Sequence, residues 1–423
     1  MAINHNDQGE TNMGHSHRWR RILYAVIGVA LIGGATAMTT VSLHAPRADV
    51  TASAATTTGV DIAGVDLHDG QIIHYGATYY FYGTMYKPNA SSSNCTIPFW
   101  WQSTTSQWCG FGVSTAPTLA GPWSTPTVLI ANTTIDHQNG RTFEDMCMGY
   151  NGTGGTPAEG CFEPRMVQRT WGGNDGQWIL WFTMPDQRSR GLSGVFQIGC
   201  KTPDTLSCDV SGHGDVGTAW NIPTFSGGCA NEDTGTNVVV SGGIATLFCG
   251  SNSSGTGGNL AETELGTTVA TSLGSQPGGY YSSNLGGITG TESPGVFYDP
   301  QRGWVLTYSD PGCGFCTGTG TGYATASSIQ GPWTFPICTA PYCTGWSNNA
   351  PITGRRDLTA TSCGGQPNTV DVIDGQAYEH VDLWIGVPWG ESAAGTHLEP
   401  LNGQYTPGGQ GQLWQPFNPW LCQ

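Results

Sequence analysis

The strongest constraint on the fold is a strand–turn–strand unit that recurs five times after residue 60, over residues 72–83, 166–182, 238–248, 296–308 and 370–384. Each copy joins a β-branched or aromatic run to a second one through a glycine-containing turn, which is the sequence pattern of a hairpin. A lone hairpin leaves both of its faces wet. Five of them stacked around an axis cover each other. Spaced at about 70 residues, the units predict an all-β chain, a five-bladed β-propeller with long loops. A two-sheet sandwich or a solenoid is the competing architecture. Gly121-Pro122-Trp123 and Gly331-Pro332-Trp333 close two of the copies with the same turn. The 64 Gly and 25 Pro suit so many turns, and 16 Trp, 15 Tyr and 13 Phe are too many aromatics for a disordered chain.

Residues 1–59 read as a targeting segment. Arg18, Arg20 and Arg21 precede an apolar run over 22–38, the layout of a signal peptide or a single membrane anchor followed by a linker. Residues 60–423 are then the propeller domain, working outside the cytoplasm, secreted or held at the membrane only by that segment. Cysteine usage agrees, with all 14 Cys lying after residue 94. Sequence neighbours predict local disulfides that pin loops: Cys95–Cys109, Cys147–Cys161, Cys200–Cys208, Cys229–Cys249 and Cys338–Cys343, with Cys363 and Cys422 closing the ends. Cys313-Gly-Phe-Cys316 has the spacing of a zinc or redox motif. It has neither a second pair nor a βαβ context, so a disulfide is expected there too.

A net charge of −16 argues against nucleic acid, anionic lipid and polyanionic substrates, and leaves neutral carbohydrate as a partner. Only 10% of residues are charged, so carboxylates recurring at one place in the repeat stand out. Just upstream of each unit lie Asp66, His68 and Asp69, then Glu163, then Glu232 and Asp233, then Glu292, and in the last unit Gln366. The bland alternative is turn-forming Asp and Glu that cap strands. In a propeller these positions converge on the axis. Glycoside cleavage with inversion requires such a set, with a protonated acid facing the leaving oxygen and a base across the sugar. The two stand ~6.5–9.5 Å apart, and a further carboxylate keeps the acid protonated. Trp100, Trp101, Trp108, Trp181 and Trp220 are candidate sugar-stacking faces.

The chain from about residue 61 onward resembles glycoside hydrolase family 43. The opening blade of that family resembles His68-Asp69-Gly70-Gln71-Ile72-Ile73, and its acid-bearing blade resembles Thr291-Glu292-Ser293-Pro294-Gly295-Val296-Phe297. The resemblance implies Glu292 as general acid, Asp69 at the base position and Asp233 as the group that tunes the acid. Phe162-Glu163-Pro164-Arg165 and Gly365-Gln366-Pro367-Asn368, with Asp382-Leu383-Trp384 after them, are similar to the galactan 1,3-β-galactosidases of that family. That likeness implies Gln366 in the base role and Glu163 on the substrate; His68, by its place before the first unit, and Trp181, as an aromatic face, are further candidate substrate contacts. An ionised carboxylate accepts a proton far more readily than an amide. Asp69 and Gln366 are therefore rival bases. Thr84 stands where those galactosidases carry an acidic residue. The expected activity is an inverting hydrolase of a neutral polysaccharide, first of all a galactan 1,3-β-galactosidase. An arabinofuranosidase or xylosidase, or a non-catalytic sugar-binding propeller, is the alternative. No metal or cofactor is required, and a monomer is expected.

Overall fold

The computed structural model describes residues 59–87, 95, 107–136, 141–147, 161–171, 178–183, 195–200, 202–203, 232–251, 259–264, 281–282, 291–310, 320–335, 346–347, 350–351, 357–359, 362, 365–387 and 390–401. They form an all-β unit with one five-residue helix, α1 (Phe143–Cys147). The strands are β1 (Val60–Ile62), β2 (His68–Tyr75), β3 (Thr78–Lys87), β4 (Gln107–Ala116), β5 (Thr127–Ala131), β6 (Ile135–Asp136) and β7 (Arg141–Thr142). After α1 come β8 (Phe162–Gln168), β9 (Trp178–Thr183), β10 (Val195–Cys200), β11 (Glu232–Ser241), β12 (Ile244–Ser251), β13 (Asn259–Glu264) and β14 (Tyr281–Ser282). The remainder are β15 (Glu292–Asp299), β16 (Gly303–Asp310), β17 (Gly320–Ala326), β18 (Trp346–Ser347), β19 (Ala350–Pro351), β20 (Asp357–Thr359), β21 (Gln366–Ile373), β22 (Gln376–Val387) and β23 (Gly390–Pro400).

Each of the five repeat units opens one antiparallel sheet. The orders are β2-β3-β4-β5, β8-β9-β10, β11-β12-β13-β14, β15-β16-β17-β20 and β21-β22-β23-β1. The last takes its outer strand from the start of the domain, with Val60 opposite Leu398. Two-residue turns join the leading strands of the third and fifth sheets. Gly242-Gly243 and Asp374-Gly375 both have positive φ at each residue, the conformation of a turn whose twist matches the flanking strands.

Strand alternation sends neighbouring residues into different sheet interfaces. In β9, Trp178, Leu180 and Phe182 pack toward the first sheet, while Ile179 and Trp181 pack toward Ala245, Leu247 and Cys249 of the third. In β16, Leu306 and Tyr308 meet Phe248 of the third sheet, and Val305 meets Val370 and Val381 of the fifth. Ile373 and Tyr378 of the fifth sheet join Leu67, Ile72 and Phe81 of the first. Apolar clusters thus link first to second, second to third, third to fourth, fourth to fifth, and fifth back to first. The leading strands touch in the same cyclic order. Close approach is enforced by glycine where two leading strands meet. A Cβ on Gly235 would lie 2.6 Å from the Ser293 Cα, and one on Gly295 would lie 2.5 Å from the Val370 amide nitrogen.

The expected bridges Cys95–Cys109 and Cys147–Cys161 are present, with Cα separations of 5.8 and 4.9 Å. Cys200 and Cys249 are also disulfide-bonded. The partners expected for them, Cys208 and Cys229, lie outside the described residues, as do Cys313, Cys316, Cys338, Cys343, Cys363 and Cys422. Each Gly-Pro-Trp turn folds its tryptophan back onto the sheet core, Trp123 against Phe81 and Trp333 against Phe248. No helix among the described residues is long and apolar enough to cross a membrane. The apolar run over 22–38 lies outside them.

Candidate active site

All five leading strands open on a β-bulge. The register shifts fall between His68 and Gln71, Phe162 and Arg165, Glu232 and Thr236, Glu292 and Gly295, and Pro367 and Val370. A bulge bends the strand and re-aims one side chain. Three of the five carry a non-glycine residue with positive φ: Asp69 at 54°, Glu163 at 57° and Ser293 at 54°. A left-handed backbone at a non-glycine residue costs of order 1–3 kcal/mol and persists only where surrounding contacts over-determine it. Asp69 and Glu163 therefore hold one structural position in two sheets, and Glu292 sits one residue ahead of it in a third.

Asp69, Glu163, Glu292 and Gln366 are all buried, each with 6–8% of its surface accessible. Gln366 and Glu292 meet directly, the Gln366 Nε2 donating to Glu292 Oε1 at 3.1 Å. Asp69 is tied to the fifth sheet through its backbone N–H, which donates to Asp382 Oδ2 at 2.8 Å. Asp382 in turn stands opposite Gln366 in the β21–β22 ladder. Glu163 is one of the carboxylates acting on Arg165, whose guanidinium is fully buried. Arg165 donates through one nitrogen to the Gly70 carbonyl and through the other to Asn368 Oδ1 at 2.6 Å, so this second-sheet residue grips the first and fifth sheets. Burial pushes its pKa down, against the pull of Asp371, Glu163, Asp382 and Asp69.

Behind this layer lies a buried ionic chain. His380 Nδ1 contacts Asp371 Oδ2 at 2.8 Å, and His380 Nε2 lies 3.6 Å from Asp382 Oδ1. Burial alone would depress the imidazole. The hydrogen bond and charge of Asp371, then those of Asp382, outweigh it and raise its pKa to about 9. Asp371 Oδ2 also accepts the Ile72 N–H at 2.8 Å. One residue earlier on β22, Glu379 points the other way. Desolvation raises its carboxyl to about 8, with Thr307 and His380 offsetting part of the effect.

The remaining sequence candidates are placed as follows. His68 and Asp233 lie in β2 and β11, and their side chains are outside the described residues, as are Trp100, Trp101 and Trp220. Trp181 does not fit the sugar-stacking expectation. It is 0% exposed and locked in the core between the second and third sheets, because a strand covered on both faces presents no ring to solvent. Trp108 is likewise core. Thr84, opposite His68 in the first sheet, is fully buried. Arg165, Asp371, Glu379 and His380 were not singled out as site residues. The signal for them was present, as charges inside strands that read as buried in a chain with few charges. Among the described residues, no group of three or more His, Cys, Asp or Glu side chains is placed to hold a metal ion.

No family profile matches the chain, and no curated protein sequence does. Solved structures do. An exo-β-1,3-galactanase from Clostridium thermocellum superposes with a TM-score of 0.51 at 14% identity, over 82% of this chain and 62% of that one. An exo-β-1,3-galactanase from Phanerochaete chrysosporium with galactose gives 0.49 at 14%, over 82% and 63%. An exo-1,5-α-L-arabinanase from a bovine ruminal metagenomic library gives 0.45 at 14%, over 80% and 94%. This chain thus spans less than two thirds of the length of the galactanases. At such identity the likeness to the Clostridium thermocellum structure is one of fold, and the chain shares its all-β architecture.

Proposed function

We propose that this chain is an exported, inverting glycoside hydrolase of neutral polysaccharide, galactan 1,3-β-galactosidase-like, built as a five-bladed β-propeller with Glu292 as its general acid. The cyclic order of sheet contacts supports the propeller, and the disulfides together with the N-terminal segment support export. The observation that carries the activity is the buried Gln366–Glu292 pair, formed where two leading strands open beside Asp69 and Arg165. A Gln366 amide held 3.1 Å from the acid leaves no room between them for a sugar and a water. An inverting base stands about 6.5–9.5 Å from the acid. In this arrangement Gln366 orients the acid, and Asp69 is the group suited to activate water. The reading is tested by incubating the protein with β-1,3-galactan and with aryl galactosides, arabinofuranosides and xylosides, following product by NMR. Release of galactose with inverted anomeric configuration is expected. Turnover of the pentosides alone would replace the sugar assignment, and binding without turnover would refute the enzyme.

A further inference from the structure

The two candidate bases come from different sheets, yet one side chain touches the setting of both. Asp382 lies directly across the ladder from Gln366, and its Oδ2 accepts the N–H of Asp69 at 2.8 Å. That N–H belongs to a residue held at φ 54°, a conformation that needs outside support. The same oxygen accepts from Asn368 Nδ2 at 3.3 Å, and Asn368 Oδ1 accepts from Arg165. The other oxygen of Asp382 faces His380 Nε2. Asp382 itself is 1% exposed, which leaves it no surface for a substrate.

We infer that Asp382 is the positioning residue of the site, fixing the Asp69 bulge of the first sheet against the Gln366 end of the fifth so that base and acid face each other across the sugar. The inference rests on the glycosidase reading for its kinetic consequence but not for its structural one. Asp382→Asn keeps an oxygen for Asp69 and Asn368. Asp382→Ala removes the acceptor altogether. Loss of registration on the order of 1 Å is worth up to ~100-fold in rate.

Two measurements decide the matter, hydrogen exchange of the peptide containing Asp69 and steady-state kinetics on the best substrate. Asp382→Ala should expose the Asp69 amide to fast exchange and lower kcat ~10–100-fold with KM little changed. Asp382→Asn should restore the protection and at least ~10-fold of the kcat. Unchanged protection of Asp69 in Asp382→Ala overturns the inference, and so does lost protection with full turnover. If Asp382→Ala does not fold, Asp382→Asn compared with Asp382→Leu carries the same contrast. A wild-type protein without glycosidase activity refutes the proposed function, while the exchange arm still decides whether Asp382 holds Asp69.

Discussion

Replacing Arg165 by Met tests the electrostatic core beneath the site. The guanidinium is fully buried, donates to the Gly70 carbonyl and Asn368 Oδ1, and feels four carboxylates, Asp371, Glu163, Asp382 and Asp69. Methionine retains much of the volume, so the change removes charge and donors rather than packing. Breaking a buried ion pair on one side costs about 3–5 kcal/mol, because the remaining charges stay desolvated without a counter-ion. The two abandoned acceptors fall within the same penalty. For a unit of this size that is a fall in melting temperature of roughly 4–7 °C. The pH dependence separates charge from packing. Without Arg165 the carboxylates take up protons more readily in the folded state, so the variant loses stability relative to wild type as pH rises. Calorimetry at pH 7 and pH 4.5 should show the deficit large at the higher pH and reduced at the lower. Arg165→Lys should recover part of it, lacking only the planar fork. A deficit equal at both pH values, or a melting point within about 2 °C of wild type, would refute the argument.

Glu379→Gln should flatten the pH dependence of stability. The folded carboxyl titrates near 8 rather than 4.5, so its contribution is complete below pH 4.5 and is lost as pH rises toward 8. The variant should gain on wild type by at most about 1.4 kcal/mol per pH unit across that window, measured by urea unfolding. His380 acts in the same direction over a higher window, losing its contribution from pH 6.5 through about 9, and should remain visible in the Glu379→Gln background. Gly295→Ala should destabilise the contact between the fourth and fifth sheets by about 1–3 kcal/mol, since its Cβ would press on the Val370 backbone and the Thr307 hydroxyl. A melt unchanged by that substitution would mean that the leading strands are not in close contact there.

Much of the architecture was legible because it is repetitive. Residues 72–83, 166–182, 238–248, 296–308 and 370–384 each alternate or run apolar around a glycine turn, and each contributes the leading strands of one sheet. Asp69, Glu163, Glu292 and Gln366 were singled out by their place just before those runs, and all four are buried where the leading strands begin. The bulges were not legible. Nothing in His68-Asp69-Gly70 marks a left-handed Asp, whose N–H is bound by a carboxylate 313 residues away. Trp181 was misread because an aromatic in a strand suggests a face for sugar, whereas burial on both faces makes it core. Arg165, Asp371 and His380 were missed for the opposite reason. Arg165 finds Gly70 and Asn368 in other sheets, and Asp371 and His380 meet across one sheet on facing strands, so their burial marks them while no spacing names their partners.

The most direct test of the central claim compares Glu292→Gln with wild type on two substrates of the same sugar. One is a β-1,3-linked oligosaccharide whose leaving oxygen must be protonated, and the other a dinitrophenyl glycoside whose leaving group needs no proton. Positioned acid catalysis is worth about 10²–10⁴ in rate. The account predicts a loss of that size on the oligosaccharide and a much smaller one on the dinitrophenyl glycoside, with protection of the Asp69 amide unchanged. Equal losses on both substrates, or full activity on the oligosaccharide, would contradict Glu292 as the acid.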